Sequence, residues 1–135
     1  MNWKDVAKED LMQYSLLKAG YAHNNERIKT YEERLDRLIQ NGKGNDNKTL
    51  DCIAKIEKLK LNNAAVEPLI KMIEESLAML TQTERKVLTK MIINSERGAL
   101  IKLCEELNYE KSRIYQIKDA ALRKFTVAMY AVESL

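Results

Sequence analysis

Glycine and proline are scarce in this chain, with four of the first and one of the second among 135 residues. A β-sandwich spends a tight turn about every ten residues, so an all-β fold is not expected. Two cysteines and one histidine can build neither a four-ligand zinc site nor a disulfide framework. No apolar run approaches the roughly 20 residues that cross a bilayer, and the opening MNWKDVAKED is charged where a secretory signal is apolar. The expectation is therefore a cytoplasmic protein without membrane contact, metal or cofactor. Net charge is also small, +3 from 23 Lys+Arg and 20 Asp+Glu, and such a balance alone identifies no nucleic-acid partner. What the chain does have is 45% apolar and 32% charged residues, enough for a core and patterned throughout for an all-α fold.

The positive surplus is unevenly placed. Residues 1–80 carry 13 basic and 13 acidic side chains, while residues 81–135 carry 10 and 7. Five basic residues fall within 111–124 (Lys111, Arg113, Lys118, Arg123 and Lys124) against one acid, Asp119. A basic stretch is ordinarily a solvated face, so its meaning depends on the pattern around it.

Upstream, Tyr14, Leu17, Tyr21, Asn24, Ile28, Tyr31, Leu35 and Leu38 alternate steps of three and four, the period of a coiled-coil seam. The polar stretch NGKGNDNK at 41–48 stops that helix. A second seam follows at Cys52, Ile56, Leu59, Asn63, Val66, Ile70, Ile73, Leu77 and Leu80. Two such helices with a short loop between them most simply fold back, so residues 1–79 are expected to form an antiparallel coiled-coil hairpin for interaction or oligomerisation. Asn24 lies 17 residues before position 41 and Asn63 lies 15 beyond 48. The two would sit level, where a hydrogen bond between them sets the register. Gly20 predicts a bend or a close helix contact in the first arm. Pro68 predicts a break near 65–67, with 68–79 restarting as a linker helix.

At Leu80 the pattern changes. Thr81-Gln82-Thr83-Glu84 fits a capping box, opening a helix over about 82–94 with Val87, Leu88, Met91 and Ile92 inward. Asn94–Gly98 reads as a turn. Residues 99–125 then meet the spacing demands of a helix-turn-helix. Cys104 is small where the second helix crosses the first. Asn108 stands at the sharp corner, tolerant of left-handed backbone angles. Tyr109 is placed as an apolar plug, and Ile114, Ile117, Ala121 and Phe125 share one face of the second helix. Residues 80–135 are thus expected to be a DNA-binding domain.

Two segments carry a family resemblance. LTQTERKVL (80–88) is similar to Leu-Thr-x-x-Glu-Arg-x-Val-Leu, and SRIYQIKDAALRKF (112–125) is similar to Arg-(Ile/Val)-x-Gln-Ile-x-x-x-Ala-Leu-Arg-Lys-Leu. These patterns open and close region 4 of bacterial sigma factors, and residues 80–129 resemble that region. The rest of the chain does not resemble the promoter-melting regions of sigma factors. A charged coiled-coil segment ahead of a region-4-like unit is instead similar to small phage transcriptional regulators of the ArpU/RinA kind. The resemblance implies a phage- or prophage-encoded, sequence-specific regulator of transcription that lays helix 111–130 in the major groove of double-stranded DNA.

With the apolar face buried, Ser112, Gln116 and Arg123 point directly away from it. Lys111, Tyr115 and Asp119 lie on one flank, Arg113 and Lys124 on the other. Gln116 can pair with adenine, Lys111 can donate to guanine and Ser112 can serve either. The resemblance implies base reading by Lys111, Ser112 and Gln116. Tyr115 stands where the family usually has Arg, and offers a hydroxyl or an apolar contact to a thymine methyl. Lys111 and Ser112 stand where Arg or Glu is usual, so the family's recognised sequence does not carry over. Arg113, Lys118, Arg123 and Lys124, with Lys102 at the tip of the preceding helix, are the expected phosphate contacts. One short reading helix binds weakly, so a homodimer through the hairpin is expected.

Two other readings exist. Region-4-like units also dock on RNA polymerase, so the chain could act through protein contacts using the face near 82–94. Phage DNA-packaging or assembly components likewise join a helix-turn-helix to helical oligomerisation elements. An enzyme is not expected. The pairs Glu32–Glu33, Glu74–Glu75 and Glu105–Glu106 are sequence neighbours, so on a helix each pair diverges by about 100° and cannot share a site. Cys52 and Cys104 fall on buried stripes as small hydrophobes. His23 reads as a surface or interface residue, and Trp3 as an anchor for the N-terminus or for a dimer contact.

Overall fold

The computed structural model describes residues 1–133. It is helical, with no strand among the described residues: α1 (Trp3–Gln40), α2 (Asn47–Ala78), α3 (Gln82–Leu88), a π-helical turn (Thr89–Ile93), α4 (Ala99–Leu107) and α5 (Lys111–Tyr130). None of these helices is long and apolar enough to cross a membrane. The chain divides into two compact units, Leu16–Leu69 and the combination of Met1–Ser15 with Ile70–Leu135. The sequence division at 79/80 is drawn elsewhere. The first turns of α1 and the end of α2 group with the C-terminal helices.

Within Leu16–Leu69, the two seams are the covered stripes. Ile28, Cys52 and Ile56 are buried, and Leu17, Tyr21, Tyr31, Leu35, Leu38, Leu59 and Val66 are half-buried between exposed neighbours. Partners run in opposite order along the two helices. Asn24 Nδ2 donates to Asn63 Oδ1 at 3.0 Å, and nearer the loop Lys55 Nζ lies 5.5 Å from the Tyr31 ring centroid. Asn63 is buried yet satisfied, since its amide also donates to the Tyr21 carbonyl at 3.2 Å and to Asn25 Oδ1 at 2.9 Å. A buried amide with every bond made costs little, whereas stripping its partners would leave polar atoms stranded.

The loop is closed by backbone chemistry. Gly42 takes φ +73, letting its N–H reach Ile39 O at 3.0 Å while Lys43 N–H reaches Leu38 O at 2.9 Å. This pair of bonds is the Schellman arrangement, which needs a residue at ease in the left-handed region. Thr49, also buried, donates its hydroxyl to Lys43 O at 2.6 Å and ties the loop to the start of α2.

Three local expectations are corrected. α2 does not break at Pro68; it runs unbroken from Asn47 to Ala78 with the proline inside. Pro68 and Ala64, whose carbonyl loses its donor, both lie on the exposed side, so water takes over that bond. Gly20 lies inside the continuous helix α1 and admits no close neighbour, for a Cβ placed there meets nothing within 4 Å. Gly20→Ala should therefore stabilise the fold by about 0.5–1 kcal/mol through lost unfolded-state freedom, read as a rise in the urea midpoint at constant m-value. The helix expected over 82–94 changes character after Leu88. Asn94 N–H reaches back five residues to Thr89 O at 2.7 Å, widening the last turn, and its side chain accepts from the Ser15 hydroxyl at 2.9 Å.

The other unit has its core where α3, α4 and α5 converge. Val87, Leu103, Ile114 and Ile117 form a buried cluster, with Met91, Leu100, Cys104 and Leu107 packed against it. Leu88, Ile92, Ala99, Ala121 and Phe125 are buried as well, as are Ala7, Leu11, Ile70, Ile73 and Leu80.

Candidate nucleic-acid interface

The position of α5 is set at the two ends of the α3–α4–α5 segment. At the first, Thr81 caps α3: its hydroxyl accepts from Glu84 N–H at 3.2 Å, and Glu84 Oε1 accepts from Thr81 N–H at 2.9 Å. At the second, α4 ends at Leu107 and Asn108 turns the chain with φ 56 and ψ 44. Only Asn108 and Ala131 among described non-glycine residues adopt positive φ, and Asn pays the smallest penalty there after Gly. Glu110 is extended, at φ −76 and ψ 161, and α5 begins at Lys111. No side chain caps α5; the Arg113 and Ile114 N–H groups donate to Glu110 O at 3.1 and 3.2 Å, which leaves the N–H groups of Lys111 and Ser112 open to an anion.

One side of α5 is sealed. Ile114, Ala121 and Phe125 have no exposed surface and Ile117 is 8% exposed. The opposite side is open: Lys111, Ser112, Arg113, Tyr115 and Gln116 are all exposed. Among the described residues, Lys111, Ser112, Tyr115 and Gln116 have no hydrogen-bond or ion-pair partner, and half-buried Lys118 has none either. Gln116 and Arg113 also border a groove of about 320 Å³ that runs from the capping box of α3 along α5.

The remaining cations differ in how firmly they are held. Lys102 Nζ lies 3.6 Å from Glu96, and Arg123 Nη2 lies 3.6 Å from Asp119, both pairs well exposed. Lys124 is committed: its ammonium lies 3.0 Å from Glu84 Oε2, a side chain only 11% exposed. Burial pushes the Glu84 carboxyl up, but the Thr81 N–H, the Lys124 ammonium and the Thr81 hydroxyl outweigh it and hold the group below its ordinary value. Lys124, which the sequence places among the phosphate contacts, thus completes the α3 cap from across the core. The site holds five loosely bound cations rather than six.

Tyr109 is not the expected apolar plug. It is 41% exposed, with the Arg113 guanidinium 5.7 Å from its ring centroid. Leu107, Leu100 and Met91 pack against the buried cluster instead, and the residue after the left-handed turn at Asn108 stays exposed. α4 is fastened by Glu106, which meets Lys86 at 2.5 Å and Lys90 at 2.7 Å. Their hydrogen bonds pull its carboxyl down to about 2.

Spacing gave no sign of what packs on the far part of α5. Lys4 Nζ lies 2.9 Å from Asp119 Oδ1, the Trp3 and Tyr130 rings are 5.0 Å apart, and the Tyr130 hydroxyl donates to Asp10. Burial, then the Asp10 carboxylate, pushes the Tyr130 hydroxyl up to about 12. Trp3 therefore anchors the N-terminus. The one signal in the sequence was Asp119 itself, a lone acid in a cationic run. Both cysteines are free thiols, and no group of three or more His, Cys, Asp or Glu among the described residues could hold a metal ion. No protein-family model, curated protein or solved structure matches this chain.

Proposed function

We propose that this chain is a sequence-specific double-stranded DNA-binding regulator of transcription, of the phage type its C-terminal motifs resemble, and a binding protein rather than an enzyme. On this reading α4 and α5 form a helix-turn-helix, and α5 enters the major groove by its N-terminal end. Lys111, Ser112, Tyr115 and Gln116 face base edges there, while Lys102, Arg113, Lys118 and Arg123 meet phosphates. The arms of α1 and α2 form an antiparallel coiled-coil hairpin, registered by the Asn24–Asn63 hydrogen bond, that pairs two copies on two half-sites.

The observation that carries the reading is the left-handed corner at Asn108, followed by a helix sealed on one side and unpartnered on the other. Exposed polar side chains by themselves are ordinary on a solvated helix face; what supports the reading is their chemistry and their place just after the corner. The first turns of α5 keep theirs unspent over four exposed positions, alternating amide, hydroxyl and cation, the chemistry that reads base edges.

The test is a binding panel of duplexes that differ at single base pairs around a fragment selected from genomic DNA. Gln116→Ala should flatten the preference at one position by about 1–3 kcal/mol, and Arg123→Ala should weaken every duplex alike. Equal weakening of all duplexes by both variants would remove Gln116 from the readers.

A further inference from the structure

Asp119 is the one acid within 111–124, and it lies on the exposed side of α5. Its two carboxylate oxygens hold different cations. Lys4 Nζ is 2.9 Å from Oδ1, and Arg123 Nη2 is 3.6 Å from Oδ2. The two are unequally bound: the Lys4 side chain is 26% exposed and that of Arg123 is 54% exposed. Lys4 is also held from both directions along α1, because Trp3 packs on the Tyr130 ring and Asp10 accepts from the Tyr130 hydroxyl. Hydrogen bonding and charge from Lys4 come first in holding the Asp119 carboxyl below its ordinary value, and Arg123 contributes least.

A carboxylate facing a duplex repels phosphate, and it also competes with phosphate for any arginine within reach. An arginine one turn along the same helix is its nearest competitor. We infer that the first turn of α1 is a working part of the DNA-binding surface: Lys4 occupies Asp119, cancels the one acid on that side of α5, and thereby releases Arg123 to a phosphate. Lys4 is a positioning residue here, acting through Asp119 rather than on the duplex. The inference rests on the DNA-binding reading above and adds a segment that lies more than a hundred residues away in sequence.

The experiment measures binding of a mixed-sequence duplex of about 30 base pairs at low salt, where phosphate contacts dominate. It compares the full-length chain with Lys4→Gln, Asp119→Asn, the double variant, and Lys8→Gln. Lys8 is exposed, has no ion pair among the described residues and lies one turn on, so it removes the same charge without touching Asp119. Lys4→Gln should weaken binding about threefold to fivefold and lower the salt slope by roughly one. Lys8→Gln should change affinity less than about twofold. Asp119→Asn should bind at least as well as the unaltered chain, and the double variant should match Asp119→Asn. Helical melting curves of all variants show that each is folded. Two results overturn the inference while duplex binding stands: no loss in Lys4→Gln, or the same loss in the Asp119→Asn background. Absence of duplex binding by the unaltered chain overturns the DNA reading itself, and the inference with it.

Discussion

Raising the salt from about 50 to 200 mM should weaken duplex binding by roughly two to three orders of magnitude. The figure follows from counting cations that are free to leave their present partners. Lys111 and Lys118 have no ion pair among the described residues, Arg113 rests over Tyr109, and Lys102 and Arg123 sit 3.6 Å from exposed carboxylates. Each phosphate neutralised releases condensed counterions and contributes about −0.9 to the slope of log K against log salt, so five give −4 to −5 per bound copy. Lys124 is outside the count, since leaving Glu84 would take the counter-charge from a carboxylate that is only 11% exposed. The expected series is therefore specific: Lys118→Gln takes about one unit off the slope, whereas Lys124→Gln leaves it unchanged. A slope shallower than about −2 for the unaltered chain would show that this side of α5 does not meet the phosphates.

What the sequence discloses and what it conceals divide along physical lines. Features set by local periodicity were legible. The seams at three-and-four spacing are the covered stripes, the loop at 41–46 falls within the stretch 41–48 that has no apolar residue, and the capping box at Thr81 and Glu84 is formed. So is the left-handed residue at Asn108, because few residue types tolerate that backbone and one stood at the right offset. Legibility failed where a neighbour distant in sequence decides the outcome. Pro68 breaks helices in isolation, yet α2 continues because the orphaned carbonyl lies on the exposed side. Lys124 was counted among phosphate contacts from its flank position on α5, and no local signal says that Glu84, forty residues earlier, claims it. The docking of Trp3, Lys4 and Asp10 along α5 spans more than a hundred residues. The hydrogen bond from Ser15 of α1 to Asn94, at the end of the widened turn Thr89–Ile93, likewise joins residues 79 apart in sequence. The exposure of Lys111, Ser112, Tyr115 and Gln116 could be read in advance, being the complement of an apolar stripe; which cations remain free beside them could not.

Phe125→Ala should cost about 3–5 kcal/mol, the largest single-residue loss expected in this chain. Phe125 is the only phenylalanine in the sequence, has no exposed surface, and is the bulkiest fully buried side chain among the described residues. Ala121 is one turn earlier on the same stripe and Thr126, also buried, is tied to Leu122 O at 2.6 Å by its hydroxyl. Truncating a fully buried ring adds a cavity penalty to the lost transfer energy. Thermal melting should fall by about 10–20 °C for a domain of this size, and the urea midpoint should fall at an unchanged slope. Phe125→Leu, which restores most of the volume, should cost no more than about 1.5 kcal/mol and keep duplex binding. The pair separates two roles of α5. Gln116→Ala should alter base preference while leaving the melting temperature in place, and Phe125→Leu should lower that temperature while leaving base preference in place. If Phe125→Ala lost less than about 1 kcal/mol, the stripe of Ile114, Ile117, Ala121 and Phe125 would not be what anchors α5, and nothing would hold its polar side toward a groove.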